Sequence, residues 1–173
     1  MDGYQGMGNS AMSDRTKAYQ QAAQDDLVIN TLSRDDMPAI LEIEHSCHSS
    51  PWSEGIFEDC FKATYRLWAA RLNGELAGYA VVTYQYDEAH LLNLCVSPAA
   101  RGLGIARRLL QYLIAGSAQD GMQLLLLEVR HSNRAAYRLY CSEGFEQIGV
   151  RPDYYPAPNG RENARVMTRP CLL

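Results

Sequence analysis

Residues 91–114 read Leu-Leu-Asn-Leu-Cys-Val-Ser-Pro-Ala-Ala-Arg-Gly-Leu-Gly-Ile-Ala-Arg-Arg-Leu-Leu-Gln-Tyr-Leu-Ile, which predicts a strand, a glycine-bearing turn and a helix in direct succession. Such an arrangement aims several backbone N–H groups and the positive end of the helix dipole at one point, which suits a pyrophosphate. The dinucleotide fingerprint begun at Gly102 would need glycine where Arg107 stands, and no P-loop ending in Gly-Lys-Ser/Thr is present. The pattern that remains, Arg101-x-x-Gly104-x-Ala106, predicts a turn for a phosphorylated cofactor; the alternative is a glycine turn that only begins a helix.

Length, composition and charge point to a single globular domain. The chain has 173 residues, of which 47% are hydrophobic, and this is enough for one domain with a full core. The formal net charge of −4 argues against nucleic-acid binding as the main role, because phosphate neutralisation requires clustered lysine and arginine. We therefore expect no direct contact with nucleic acid, whereas a basic peptide or an amine is compatible as a substrate.

The cysteines and apolar segments bear on compartment and metal content. Five scattered cysteines without a C-x-x-C pair favour reduced thiols in a cytoplasmic protein over a disulfide framework or a zinc module. His45, Cys47 and His48 lie close together, but no second ligand cluster stands at zinc-finger spacing, so we predict no metal there. No apolar stretch is as long as a membrane span, and no basic region followed by an apolar core begins the chain, so we expect no membrane contact.

The order of predicted elements is mixed, with an antiparallel meander followed by a β-α-β crossover. Residues 1–25 are rich in small polar residues and predict a mobile tail, which leaves residues 26–173 as one domain. Asn73-Gly74 predicts a hairpin, because it supplies both positive-φ residues of a type I′ turn. The predicted helix caps are Ser33, Ser53 and Ser132, and one helix is expected over 103–117. The predicted strands are 27–30, 65–72, 75–85, 88–96, 122–129 (buried on both faces), 145–150 and 164–167, the last two joined by a loop over 151–163.

Two side chains are candidates for acid and base chemistry. Glu128 is the first charged residue after four leucines, and in a poorly solvated site its carboxylate can act as a general base. The alternative is a strand-end glutamate paired with Arg130 or Arg134. Tyr140 follows Asn133 by seven residues, or two helical turns, so both side chains project from one face and can address one ligand.

Together these motifs resemble the GNAT acetyltransferases from residue 27 to the end of the chain. The matching pieces are Asn93-Leu94-Cys95-Val96, Arg101-x-x-Gly104-x-Ala106, Leu127-Glu128-Val129-Arg130-x-Ser132-Asn133-x-x-Ala136-x-x-Leu139-Tyr140 and Gly144-Phe145. Three further motifs resemble one branch of the family, the bacterial ribosomal-protein-alanine N-acetyltransferases of the RimI type. They are Pro51-Trp52-Ser53, Tyr154-Tyr155-Pro156 and Asn159-Gly160-Arg161-Glu162. The resemblance implies an α/β (α+β) fold with a central mixed, mostly antiparallel sheet, flanked by helices, around a β-α-β cofactor-binding core.

The resemblance also implies an activity and residue roles. The implied reaction transfers acetyl from acetyl-coenzyme A, without a metal, to the α-amino group of an N-terminal alanine, in this branch on protein eighteen of the small ribosomal subunit. Glu128 matches the general base of the family, Tyr140 the general acid, and Asn133 the side chain that binds the cofactor beside the thioester. The strand that holds the acetyl and pantetheine is matched by Leu94, Cys95 and Val96, and the pyrophosphate turn by Arg101, Gly102, Leu103, Gly104, Ile105, Ala106 and Arg107.

Several points stay open at the level of sequence. Trp52, Tyr154 and Tyr155 lie in loops that in this fold flank the acceptor slot; they wall a narrow channel or are ordinary loop aromatics that cover the sheet. We expect direct transfer in a ternary complex rather than an acyl-enzyme. The alternative functions are acetylation of a small amine or an internal lysine, and a non-catalytic module that binds acetyl-coenzyme A. Retention of both Glu128 and Tyr140 argues against the module, since a binder needs neither acid nor base.

Overall fold

The computed structural model describes residues 27–171, so the tail predicted over 1–25 lies outside the described residues. Within them the chain forms seven strands, four α-helices and two single 3₁₀ turns, at Arg34–Asp36 and Pro98–Ala100. The strands are β1 (Leu27–Thr31), β2 (Tyr65–Leu72), β3 (Glu75–Gln85), β4 (Glu88–Val96), β5 (Leu124–Arg130), β6 (Glu146–Ala157) and β7 (Gly160–Pro170). The helices are α1 (Met37–Cys47), α2 (Glu54–Asp59), α3 (Ile105–Gln119) and α4 (Arg134–Ser142).

The described strands form one mixed sheet of order β1-β2-β3-β4-β5-β7-β6. Among them only β4 and β5 pair in parallel, and α3 makes the crossover between these two strands. The predicted hairpin of β2 and β3 is confirmed with its predicted bounds, and its turn residues Asn73 and Gly74 have φ of 52° and 82°. The predicted fold class, a mostly antiparallel mixed sheet with a β-α-β core, is therefore confirmed.

Helices cover the two faces of the sheet in different places. On one face α3 and α4 pack against the sheet in the larger core, which contains Leu109, Leu113 and Leu125. On the other face α1 and α2 cover β2 to β4 around Ile40 and Phe57. Since each fully buried aliphatic side chain contributes about 1.5 to 3 kcal/mol, these two cores fix the helices on the sheet. In residues 27–171 we find no helix that is both long enough and apolar enough to cross a bilayer.

Strand β5 is buried on one face only, which corrects the prediction of burial on both faces. Leu125, Leu127 and Val129 are buried, whereas the alternate residues, including Leu126 and Glu128, are half-buried. The physical reason is that α3 and α4 pack on the first set, while α1 and α2 contact β3 and β4 on the opposite face of the sheet. The alternation places Glu128 on the face away from the larger core.

The loop predicted over 151–163 is wrong, because β6 and β7 continue through it as a long hairpin. The prolines of this segment are tolerated because β6 is an edge strand, where a residue without an N–H leaves no strand partner unsatisfied on the outer side. The pairing register jumps from Arg151↔Ala164 to Tyr155↔Glu162, so β6 carries two extra residues at this point. The extra residues form a bulge in which Asp153 has a φ of 49°.

Most of the predicted helix starts are confirmed. Ser33 forms a capping box with Asp36, and Ser53 is the N-cap of α2. Helix α4 is capped by Asn133 rather than by the predicted Ser132, because the Asn133 side-chain oxygen accepts the N–H of Ala136 at 3.1 Å. The cap orients the start of α4 and uses the side chain of Asn133 for that purpose.

Candidate active site

The glycine turn before α3 opens onto a pocket of about 270 Å³. The pocket is lined by Val96, Leu139 and the turn residues 100–107 other than Leu103. Gly102 and Gly104 have φ of 79° and 75°, a left-handed conformation that residues with a Cβ rarely adopt, and a Cβ on either would meet no protein atom within 4 Å. Gly104 is the N-cap of α3, so the first N–H groups of this helix have no acceptor within it. Unpaired backbone donors at the positive end of a helix dipole fit a pyrophosphate.

Strands β4 and β5 diverge beside this pocket. They pair over Glu88–Leu91 and Leu124–Leu127, and β4 then continues for five residues without a β5 partner. A register shift between β3 and β4, in which Leu92 is the extra residue, accompanies the divergence. Residues 93–96 therefore have a strand partner on the β3 side only, and alternate N–H groups point into the gap. Such donors can hold a carbonyl oxygen or the oxyanion formed from it.

Glu128 is the first residue of β5 beyond the last β4 pair, so it lies where the two strands separate. Its side chain is 24% exposed, which leaves the carboxylate accessible to a small substrate group. The Arg151 Nε donates to Glu128 Oε1 at 2.8 Å. Arg130, a predicted alternative partner of Glu128, pairs instead with Glu162 at 2.8 Å. Glu128 therefore does form an ion pair, but its partner is Arg151 of β6.

The β6 bulge places two tyrosines beside Glu128. A hydrogen bond between the Tyr154 hydroxyl and the Glu128 carboxylate raises the pKa of Tyr154. The Tyr155 hydroxyl donates to the backbone carbonyl of Glu128 at 3.2 Å, and the two tyrosine rings meet edge to face at 4.9 Å. Arg161 donates to the carbonyls of Asp153 and Tyr154 and so holds the bulge in place. The predicted aromatic residues of this segment thus lie against the predicted base.

Tyr140 lies near the end of α4 and is buried. Its ring packs against Phe145 with 5.7 Å between centroids. Burial, and after it the nearby Tyr155 phenol, raises the pKa of Tyr140 well above its ordinary value. Burial and the Glu128 carboxylate raise the pKa of Tyr155 to about 12. Tyr155 therefore lies near enough to interact electrostatically with both Glu128 and Tyr140. With its raised pKa, Tyr140 keeps its proton at neutral pH.

The other residues predicted to bind the cofactor or the acceptor lie against the two cores or on the surface. Leu94 and Leu103 are half-buried against the larger core, and Cys95 is buried on the opposite face of β4. Asn133 is exposed and lies outside the pocket lining. Trp52 packs against Phe57 with 5.4 Å between ring centroids, on the side of the sheet covered by α1 and α2.

Two charged residues near the site were missed by the sequence analysis. Arg151 gave no sequence signal, because its contact with Glu128 depends on the pairing of β6 with β7 and of β7 with β5. Glu44 is only 1% exposed and accepts hydrogen bonds from Tyr79 and from the backbone N–H of Trp52. A signal for Glu44 was available, since an acidic residue on the apolar face of a helix requires buried partners.

Comparison with known proteins adds an independent result. Residues 37–145 match the profile described as Acetyltransferase (GNAT) family. The ribosomal protein bS18-alanine N-acetyltransferase of Escherichia coli strain K12 is 39% identical over 145 residues, which are 84% of this chain and 98% of that protein. The enzyme of the same name from Haemophilus ducreyi is 40% identical over 141 residues, 81% of this chain and 97% of its own.

Solved structures agree with these matches. The crystal structure of the ribosomal-protein-S18-alanine N-acetyltransferase from Escherichia coli superposes with a TM-score of 0.81 at 38% identity, covering 85% of this chain and 95% of that one. Ard1 from Thermoplasma volcanium gives a TM-score of 0.77 at 23% identity, covering 85% of this chain and 99% of its own, which is a likeness of fold.

Proposed function

This chain belongs to the acetyltransferase (GNAT) family, and from that premise we propose that it acetylates the α-amino group of an N-terminal alanine on a small-subunit ribosomal protein. The proposal rests on relatives of this name that match over nearly their whole length. It is carried by one structural observation: Glu128 lies where β4 and β5 separate, between Arg151 and the tyrosines of the β6 bulge. The proposed acceptor is a protein of the ribosome, so we place the enzyme in the cytoplasm.

The GNAT family uses acetyl-coenzyme A as cosubstrate, which supplies an activated acetyl thioester. In this chain Gly102 to Arg107 would hold the pyrophosphate through backbone N–H groups, beside Arg101. Leu94 to Val96 would hold the pantetheine and acetyl groups along the open side of β4. Asn133, assigned to the cofactor by resemblance, would contribute from the start of α4.

Replacement of Gly104 by alanine tests the pyrophosphate turn. A Cβ at φ 75° costs about 1 to 2 kcal/mol, so the turn distorts and its N–H groups lose their alignment. Affinity for acetyl-coenzyme A, measured by calorimetry, should fall about tenfold. Gly74→Ala is the matched control, since Gly74 has a φ of 82° in the remote β2–β3 hairpin. This substitution should reduce only thermal stability. Equal affinities of the two variants would contradict the assignment.

Proton removal comes first in the reaction. An α-ammonium group with a pKa near 8 is mostly charged at pH 7 and must lose a proton before its nitrogen attacks a carbonyl. We assign this step to the Glu128 carboxylate, with Arg151 and Tyr154 holding its orientation. The N–H groups of residues 93–96 that face the gap would stabilise the oxyanion. Tyr140 would then protonate the departing thiolate, and no protein nucleophile takes part.

We assign the choice of the acceptor amine to the aromatic side chains of Tyr154 and Trp52. Tyr154 lies against Glu128, and Trp52 lies over the face covered by α1 and α2. Rigid aromatic walls that narrow the path to a base admit a free chain end more readily than a lysine within a folded chain. We propose that these residues select the free N-terminus.

Blocked and free peptides test the acceptor. An alanine-initiated peptide that carries internal lysines should be acetylated once, at the α-amino group, as located by fragmentation mass spectrometry. Formylation of that α-amino group should abolish turnover while the lysines remain free. Undiminished acetylation of the blocked peptide would instead support an enzyme for internal lysines, and turnover of polyamines alone would support a small-amine enzyme.

A further inference from the structure

A cluster of potential metal ligands lies where α1 ends against β4. A carboxylate oxygen of Glu44, the Nε2 of His48 and the Sγ of Cys95 all lie within 4.8 Å of one another. None of the three has a part in the acid and base steps proposed above. We propose that these residues form a binding site for a transition-metal ion of the zinc type.

The His48 ring nitrogen points to a missing ligand. Its Nε2 is buried and has no hydrogen-bond partner in the described part of the chain, although it lies 3.5 Å from Glu44 Oε2. Buried ring nitrogens are normally paired, and a metal ion would satisfy this one. The His48 side chain as a whole is 36% exposed, which gives an ion a path to the site.

The Glu44 carboxylate has the supporting contacts expected of a metal ligand. The Tyr79 hydroxyl and the Asn93 amide, the latter at 3.2 Å, donate to Oε2, and the Trp52 N–H donates to Oε1 at 2.9 Å. Such hydrogen bonds orient a ligating carboxylate and hold it in place. They also satisfy the polar atoms of the Glu44 side chain, which is only 1% exposed.

A second sulfur atom, that of Cys47, lies beside the proposed site. The Cys47 sulfur lies beside Cys95, where it accepts a hydrogen bond from Arg101 at 3.4 Å and donates one to the Val96 carbonyl at 3.3 Å. A bound cation would ionise the Cys95 thiol, and Cys47 is the adjacent further donor.

The donor set selects the metal. One sulfur, one imidazole nitrogen and one carboxylate oxygen suit zinc, whereas magnesium and calcium prefer oxygen ligands alone. Tetrahedral zinc places such atoms about 3.3 to 3.8 Å apart. The spread of at most 4.8 Å thus needs only small side-chain rotations to close around an ion.

Cobalt titration of the reduced full chain tests the site. Co²⁺ reports tetrahedral thiolate coordination through its visible and near-ultraviolet bands, and Zn²⁺ should displace it. We expect one equivalent to bind. Absence of stoichiometric binding by the wild-type chain would overturn the proposal.

Matched variants assign the ligands. Cys95→Ser and His48→Gln should each lower the affinity for Co²⁺ at least about 100-fold. Cys60→Ser changes a buried cysteine of the same core, and His45→Gln changes a histidine of α1 that is hydrogen-bonded to the Leu41 carbonyl; both should bind as the wild type does. Circular dichroism shows that each variant is folded. Unchanged affinity in either ligand variant would contradict the site as assigned.

Discussion

Glu128→Gln should lower kcat for an alanine-initiated peptide at least about 100-fold at pH 7, the scale expected for loss of a general base. Glutamine keeps the shape of the side chain but cannot accept the ammonium proton. The defect should shrink as the pH rises through the pKa of the amine, near 8, because the free amine then forms without help. Steady-state kinetics across this range measures both effects.

A neighbouring carboxylate gives the matched control for this prediction. Glu162 of β7 also pairs with an arginine at 2.8 Å, but its other oxygen accepts the Ser132 N–H at 3.1 Å. Glu162→Gln should therefore change kcat much less than Glu128→Gln. Both variants should bind acetyl-coenzyme A within a few-fold of the wild type. Near-normal kcat of Glu128→Gln at pH 7 would mean that Glu128 only forms its ion pair with Arg151.

Tyr140→Phe should also lower kcat about 100-fold, but with a different pH profile. Burial raises the pKa of Tyr140, so the phenol stays protonated throughout the pH range of the assay and can donate to the thiolate at every point. The lost donor cannot be replaced by raising the pH. We therefore expect a constant defect, measured as the ratio of wild-type to variant kcat.

Tyr140→Phe keeps the aromatic ring and its packing against Phe145, so the thermal stability of this variant should change little. Tyr137→Phe is the control, since Tyr137 lies on the same helix and stacks with Arg165 rather than with the residues around Glu128. Its kcat should match that of the wild type. If Tyr140→Phe recovers activity at high pH, or loses less than about twofold at pH 7, Tyr140 is not the acid.

The elements that the sequence predicted correctly are set by local interactions. Asn73-Gly74 fixes the β2–β3 hairpin because its backbone conformation is available to few other pairs. The glycines of the turn before α3, and the apolar residues on both sides of it, predicted the strand-turn-helix unit and its pocket. The seven-residue spacing from Asn133 placed Tyr140 two turns from the start of α4.

Contacts between distant segments decided the rest. A loop was predicted over 151–163, yet β6 and β7 pair through it at the edge of the sheet. This pairing brings Arg151 and Tyr154 to Glu128. Glu44 and Cys95 are far apart in sequence, and they meet because α1 packs on β4. Local propensity and periodicity determine which residues share a face of one element. The meeting of residues from different elements depends on strand order and packing, which are long-range and leave no local pattern in the sequence.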